Sequence, residues 1–338
     1  MVVGVRPRAR HRPGKSRRPD EQPGLTPQDA PALEGDAADE RLAQESRRTT
    51  PRRALEQRPG FAEASPDVGE LDLSVVEEAH RRDPDTTLEL VAAMATATDR
   101  GLREKARRLA HRLAWREARS TAPTTVRGTG RMRSVRGLDP QGELDLDRSM
   151  DHLTQARAGS HALEPDELWS RRWSASRTAW CLVLDRSGSM DGEALATACL
   201  TTAGFWLRAH EQRAVLTFAD DVVALGSLGD GRTGEEVLDR VLGLRGRGTT
   251  HLAPALRAAA DQLGRTSARR RRTVLLSDCR ATTPDDVVAA AGLLDELAIL
   301  APAADPAAAR ELARAVDARL ETVSAPSDVP AALRRLLD

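Results

Sequence analysis

The segment DRSGSMDG places Asp185, Ser187 and Ser189 at alternate positions, directly after the apolar run TAWCLVL and ahead of a long stretch of helical pattern. An acid and two hydroxyls at this spacing, in a turn that Gly188 permits, can direct their oxygens to one point. Two further stretches carry similar groups: RGRGTTH contains Thr249 and Thr250, and TVLLSDCRAT contains Asp278. Together these make an all-oxygen donor set of two carboxylates and several hydroxyls, the preference of a hard cation such as Mg²⁺ or Mn²⁺. With few charged groups facing it, such an ion stays under-neutralised and keeps a water that an Asp or Glu from another protein can replace. The helix N-terminus expected after Gly192 adds positive potential on the same side. A helix cap alone explains these residues less well, because a cap needs one of them and makes no demand on two distant loops.

The elements that would bring these loops together are legible in the hydropathy. TAWCLVL (178–184) and TVLLSD (273–278) are continuous apolar runs too short for helices, as expected of strands buried on both faces. Around them the strands RAVLTFA, DVVALG, LAILAP and ARLETV alternate with helical segments. Those helices are GEALATACLTTAGFWLRAH, EEVLDRVLGL, LAPALRAAADQLG, PDDVVAAAGLLDEL, DPAAARELARAVD and SDVPAALRRLL. The alternation predicts a doubly wound α/β domain over residues 177–338, with a mostly parallel sheet covered on both faces. In such folds ligands collect at the carboxyl ends of the strands, and DRSGS, RGRGTTH and SDCRAT all fall at that edge.

The D-x-S-x-S of Asp185, Ser187 and Ser189, a Thr on a second loop and Asp278 on a third resemble the metal-ion-dependent adhesion site of von Willebrand factor A (VWA) domains. The order of strands and helices after residue 177 is similar too, and DRSGSM and LLSDCRAT resemble the CoxE-like or magnesium chelatase D-subunit-like branch. The resemblance spans about residues 140–338. It implies a Rossmann-like VWA fold and a Mg²⁺ (or Mn²⁺) site built from Asp185, Ser187, Ser189, Thr250 and Asp278. It also implies a non-enzymatic, protein-binding role beside a MoxR-type AAA+ ATPase. The client would offer an Asp or Glu to the metal, in complex assembly or metalloenzyme maturation. Two positions depart from the family pattern. Where such domains commonly read GGTNL this chain has GTTHL, and aligning the final Leu makes Thr250 the metal residue, with Thr249 as the alternative. Cys279 stands where a Gly commonly follows the third-loop Asp, and it and His251 are read as residues that merely fit their loops.

The rest of the chain is less informative. A length of 338 residues at 40% hydrophobic content suffices for one good core and a smaller element. Residues 1–70 read as a disordered charged tail, whose first 18 residues carry six arginines and Lys15 with no acid. Residues 71–119 read as a small helical region, with Leu102, Ala106, Leu109 and Leu113 on one face as its own core or a docking stripe. Residues 120–142 read as a linker. Residues 143–176 read as a lead-in packed on the following domain through Trp169 and Trp173, one helical turn apart. Asp145, Asp147 and Asp151 lack the central Gly and terminal Glu of a calcium loop, so a short strand ending in an Asp N-cap accounts for them.

Several function classes fall away. Three cysteines without CxxC spacing and scattered histidines argue against a disulfide framework or a zinc site. There is no GxSxG elbow and no GxxxxGK[ST] loop, so ATP hydrolysis would belong to a partner. With no apolar run of membrane length and no signal-peptide core, a cytoplasmic location is expected. A metal-assisted hydrolase with Asp191 or Asp220 as base is a weaker alternative. So is nucleic-acid association through the N-terminal arginines and Arg269–Arg272, since zero Tyr and three Phe leave little for bases to stack on.

Overall fold

The strands of the structure, a computed structural model, are β1 Arg131–Arg136, β2 Glu143–Leu144, β3 Trp169–Ser174, β4 Thr178–Asp185, β5 Gln212–Phe218, β6 Val222–Gly226, β7 Arg270–Leu276, β8 Glu296–Pro302 and β9 Arg319–Val323. The helices are α1 Gly35–Ser46, α2 Arg52–Leu55, α3 Phe61–Ala64, α4 Leu73–Arg82, α5 Pro84–Met94, α6 Arg100–Ser120, α7 Leu146–Arg157, α8 Glu193–Arg208, α9 Gly234–Gly243, α10 Leu252–Gly264, α11 Val287–Ala291, α12 Ala307–Ala315 and α13 Val329–Leu337. Residues 31–120, 131–137, 143–159, 167–174, 178–188, 190, 192–209, 212–246, 248–282 and 286–337 are described.

Six strands form the main sheet in the order β6-β5-β4-β7-β8-β9, parallel throughout except for the β5–β6 pair. The fold is the expected α/β arrangement with a mostly parallel sheet. Along β4 the side chains alternate: Trp180, Leu182 and Leu184 enter one apolar cluster, and Ala179, Cys181 and Val183 enter the other. Residues of α5, α6, α8, α9 and α13 complete the first cluster, and residues of α10, α11 and α12 complete the second. Each buried Leu or Val contributes about 1.5–3 kcal/mol, so β4, buried on both faces, anchors the sheet. From β4 the chain pairs with β5 on one side and later returns to β7 on the other. The carboxyl ends of β4 and β7 therefore flank the point where strand order reverses, the place such sheets offer to ligands.

Several expectations outside this sheet are revised. Residues 31–64, read as part of a disordered tail, form α1 to α3 and bury Ala38, Leu42, Leu55, Phe61 and Ala64; residues 1–30 lie outside the described residues. Composition missed this order because it comes from distant partners. Leu33 pairs with the edge of β6, donating its N–H to Val222 O and accepting from Ala224 N–H, while Glu34 is bound by Arg265 and Asp39 by Arg240. Nor are α4 to α6 a separate unit, since Leu102, Ala106, Leu109 and Leu113 share one core with β4 and α8.

The stretch read as a linker contains β1, which pairs antiparallel with β3 in a separate three-stranded sheet of order β1-β3-β2. Pairing overrides the helical reading of Trp169 and Trp173, which both lie in β3, and the Arg148 guanidinium sits over the Trp169 ring at 5.1 Å. The strand and N-cap expected around Asp145 are present, with Asp145 accepting from the Arg148 N–H. The helix expected over 284–297 shortens to α11, because β8 must begin at Glu296 to hold its register against Arg272. Among the described residues no helix is long and apolar enough to cross a membrane.

Candidate metal centre

Asp185 is the last residue of β4, and both of its oxygens are held. Oδ1 accepts the Ser187 N–H at 2.8 Å, and Oδ2 accepts the Ser277 hydroxyl at 2.6 Å. The first contact closes an Asx turn over Asp185–Arg186–Ser187, and the next residue, Gly188, has a φ of +72° that suits glycine. The second ties β4 to the end of β7, and Ser277 is in turn fixed by the Cys279 N–H at 2.8 Å. Ser277 was not singled out by sequence reasoning. Its only signal is its place before Asp278, where strand alternation would aim the two side chains apart.

The second loop meets the first backbone to backbone. A Cβ on Gly246 would lie 1.9 Å from the Gly188 carbonyl oxygen, so no other residue fits there without moving a loop. Further on, the Thr249 N–H and hydroxyl both donate to Asp220 Oδ1, at 2.7 and 2.8 Å, and His251 Nε2 lies 3.0 Å from the same hydroxyl. Asp220, considered above as a general base, is thus committed to holding the loop. Thr250 beside it is buried, and its N–H donates to the Thr282 hydroxyl at 2.5 Å, linking the second loop to the third. Thr282 is another residue that sequence reasoning passed over.

On the third loop, Asp278 Oδ1 accepts the Arg280 N–H at 2.9 Å. Cys279 adopts φ +60°, a left-handed conformation that glycine enters freely, which gives a physical reason for the Gly expected there from the resemblance. Burial, with Asp278 and Asp185 adding to it, pushes its thiol up to about 12.

Asp185, Ser187 and Asp278 line one cavity of about 340 Å³, along with Ser277, Glu193 and an apolar wall that includes Met190, Leu276, Pro302 and Val323. Thr250 does not line it, and Ser189 and Asp191 lie outside the described residues. Burial raises the Asp185 carboxyl above its usual range, and neighbouring Asp278 adds to this, against hydrogen bonds from Ser187 and Ser277. Neither Asp185 nor Asp278 forms a salt bridge with a described Arg, Lys or His. The described residues contain no cluster of three or more His, Cys, Asp or Glu fit for a metal, so a cation here must draw on hydroxyl, backbone and water oxygens as well. That chemistry suits a hard divalent ion.

The basic run is used internally. Arg270 and Arg272 both pair with Glu296, and Arg271 donates to the Thr266 carbonyl. This counts against a nucleic-acid surface there.

The family described as "VWA domain containing CoxE-like protein" matches residues 118–329. No curated protein matches the chain in sequence. Similar solved structures include a von Willebrand factor type A protein from Catenulispora acidiphila, at 17% identity and TM-score 0.41, covering 49% of this chain and 43% of that one. A manganese-loaded TRAP protein from Plasmodium vivax is similar at 15% identity and TM-score 0.41, covering 48% of this chain and 74% of that one. An aerotolerance-related membrane protein from Bacteroides fragilis is similar at 16% identity and TM-score 0.39, covering 47% of this chain and 98% of that one.

Proposed function

We propose that this chain, which belongs to the family of VWA domain containing CoxE-like proteins, binds a divalent cation, Mg²⁺ or Mn²⁺, and uses it to capture a carboxylate of another protein. The ligands in this reading are Asp185, Ser187, Ser189, Thr250 and Asp278. The observation that supports it best is that Asp185 and Ser187 of the first loop and Asp278 of the third line one cavity, with Glu193 beside them and no Arg or Lys among the described lining residues. When bound, the ion would supply a Lewis-acid position able to take a carboxylate oxygen of an incoming Asp or Glu. The protein's own groups prepare that position. Ser277 and the Ser187 amide fix the Asp185 carboxylate, and the engagement of Thr249 by Asp220 favours Thr250 over Thr249 as the second-loop hydroxyl in this reading. Met190, Leu276, Pro302 and Val323 form the apolar part of the wall, where lower dielectric strengthens the attraction between ion and carboxylate.

Asp220, one candidate general base, is engaged with Thr249, which supports binding rather than turnover as the role. The partner in this reading is a MoxR-type AAA+ ATPase in the cytoplasm, with this chain as the adaptor that presents a client during complex assembly or metalloenzyme maturation. This part rests on family analogy. The test is binding of the purified chain to a MoxR-type ATPase from the same genome, measured in Mg²⁺ and in EDTA. Binding that disappears in EDTA and with Asp185→Ala supports the reading, and equal binding in both buffers contradicts it.

A further inference from the structure

Between Asp185 and Ser187 stands Arg186, which does not line the cavity and whose side chain is 0% exposed. Its guanidinium donates from Nη1 to Glu45 on α1 and from Nη2 to Asp221 after β5. Arg41 closes the ring, with Nε on Asp221 at 2.5 Å and Nη1 3.5 Å from Glu45. Two arginines and two acids balance in charge, yet Arg186 Nε and one Glu45 oxygen find no hydrogen-bond partner among the described residues. Such a buried ring is costly to desolvate, and an apolar pair of similar volume would serve stability as well or better. Its value lies in fixing a direction, and what it fixes is the backbone that carries Asp185 and Ser187.

The same stretch of chain touches the site at two more places. The Arg48 carbonyl accepts from Arg245 Nε at 2.7 Å, just before Gly246 packs on the first loop. The Arg58 guanidinium lies against Gly192, where a Cβ would meet its Nη1 at 2.9 Å. Residues 45–58 therefore hold the first loop in its middle and at its exit, and the second loop at its start.

We infer that Glu45 is a positioning residue for the metal loop: through Arg186 it fixes the turn that presents Asp185 and Ser187, so the N-terminal segment sets the affinity of the cavity for its cation. This rests on the metal reading proposed above. Groups that orient metal ligands without touching the ion typically change affinity by about 10- to 100-fold when removed.

The test is calorimetric titration of the full chain with Mn²⁺, comparing wild type, Asp185→Ala, Glu45→Gln and the double variant Glu45→Met/Arg186→Met. The double variant removes both charges of the pair at once and keeps the protein folded if Glu45→Gln does not. Thermal melts and hydrogen exchange of the amides of residues 186–188 accompany each titration. The expected result is Mn²⁺ affinity lowered about tenfold or more in both Glu45 variants, at a retained cooperative melt and with faster exchange confined to the loop. Wild-type binding lost in Asp185→Ala but unchanged in both Glu45 variants overturns this inference alone. No binding in the wild type overturns the metal reading and this inference with it.

Discussion

At the amino end of the main sheet Glu296 is gripped by Arg270 and Arg272, whereas at the carboxyl end Asp185 is held by a hydroxyl and a backbone amide and meets no cation among the described residues. The two acids respond in opposite directions. The Arg270 hydrogen bond is the main cause that lowers the Glu296 carboxyl, and burial is the main cause that raises that of Asp185. One acid is neutralised and locks the β7–β8 register, while Arg272 also covers the Trp180 ring and donates to the Leu337 carbonyl. The other is half-buried with hydrogen bonds but no cationic partner among the described residues, which is the environment the proposed site calls for.

Removing a cation from a neutralised acid should cost far more stability than removing an acid from the open pair. The largest effect is expected for Arg186→Ala, which leaves Glu45 buried and short of a partner and lowers unfolding free energy by about 3–5 kcal/mol in urea. Arg272→Ala should cost about 2 kcal/mol by the same measurement, through its charged hydrogen bonds to Glu296 and Leu337. Asp185→Asn should change the stability of the metal-free protein by less than about 1 kcal/mol, since an uncompensated charge is removed, while abolishing Mn²⁺ binding. A loss as large as that of Arg272→Ala would break the contrast.

A pH series sharpens it further. Glu34 is drawn down to about 2, chiefly by its hydrogen bond from Arg265. Its contribution is therefore fully present above the unfolded value of 4.5 and is lost as pH falls from there toward about 2. Glu34→Gln should lower stability at neutral pH by that contribution, leave it nearly unaffected below about pH 2, and so flatten the acid limb in that window. The smallest effect is expected for Cys279→Gly. Relief of a left-handed backbone and loss of a buried thiol offset each other to within about 1 kcal/mol, and Mn²⁺ affinity should stay within twofold of wild type. A larger loss of affinity would make the thiol part of the site.

The sheet and the motif were legible because both are written locally. TAWCLVL and TVLLSD can be little other than buried strands, and LAPALRAAADQLG matches α10 residue for residue. The order of residues 31–64 was not legible, because charges that count as solvated in composition find partners up to 231 positions away, as Glu34 does with Arg265. For β1, RMRSVR has no apolar alternation and becomes a strand by pairing with β3. At the site, Asp185, Ser187 and Asp278 were visible by type and spacing, whereas Ser277, Thr282 and Arg186 act through contacts that exist only once the loops meet.

The central claim, that Asp185 and Asp278 form the seat of a divalent cation, is met most directly by calorimetric titration of the purified chain with Mn²⁺ beside Asp185→Ala and Asp278→Ala. The account predicts saturable one-to-one binding in the wild type and its loss in both variants at unchanged cooperative melts. Absence of saturable binding in the wild type, or binding that survives both substitutions, would contradict it.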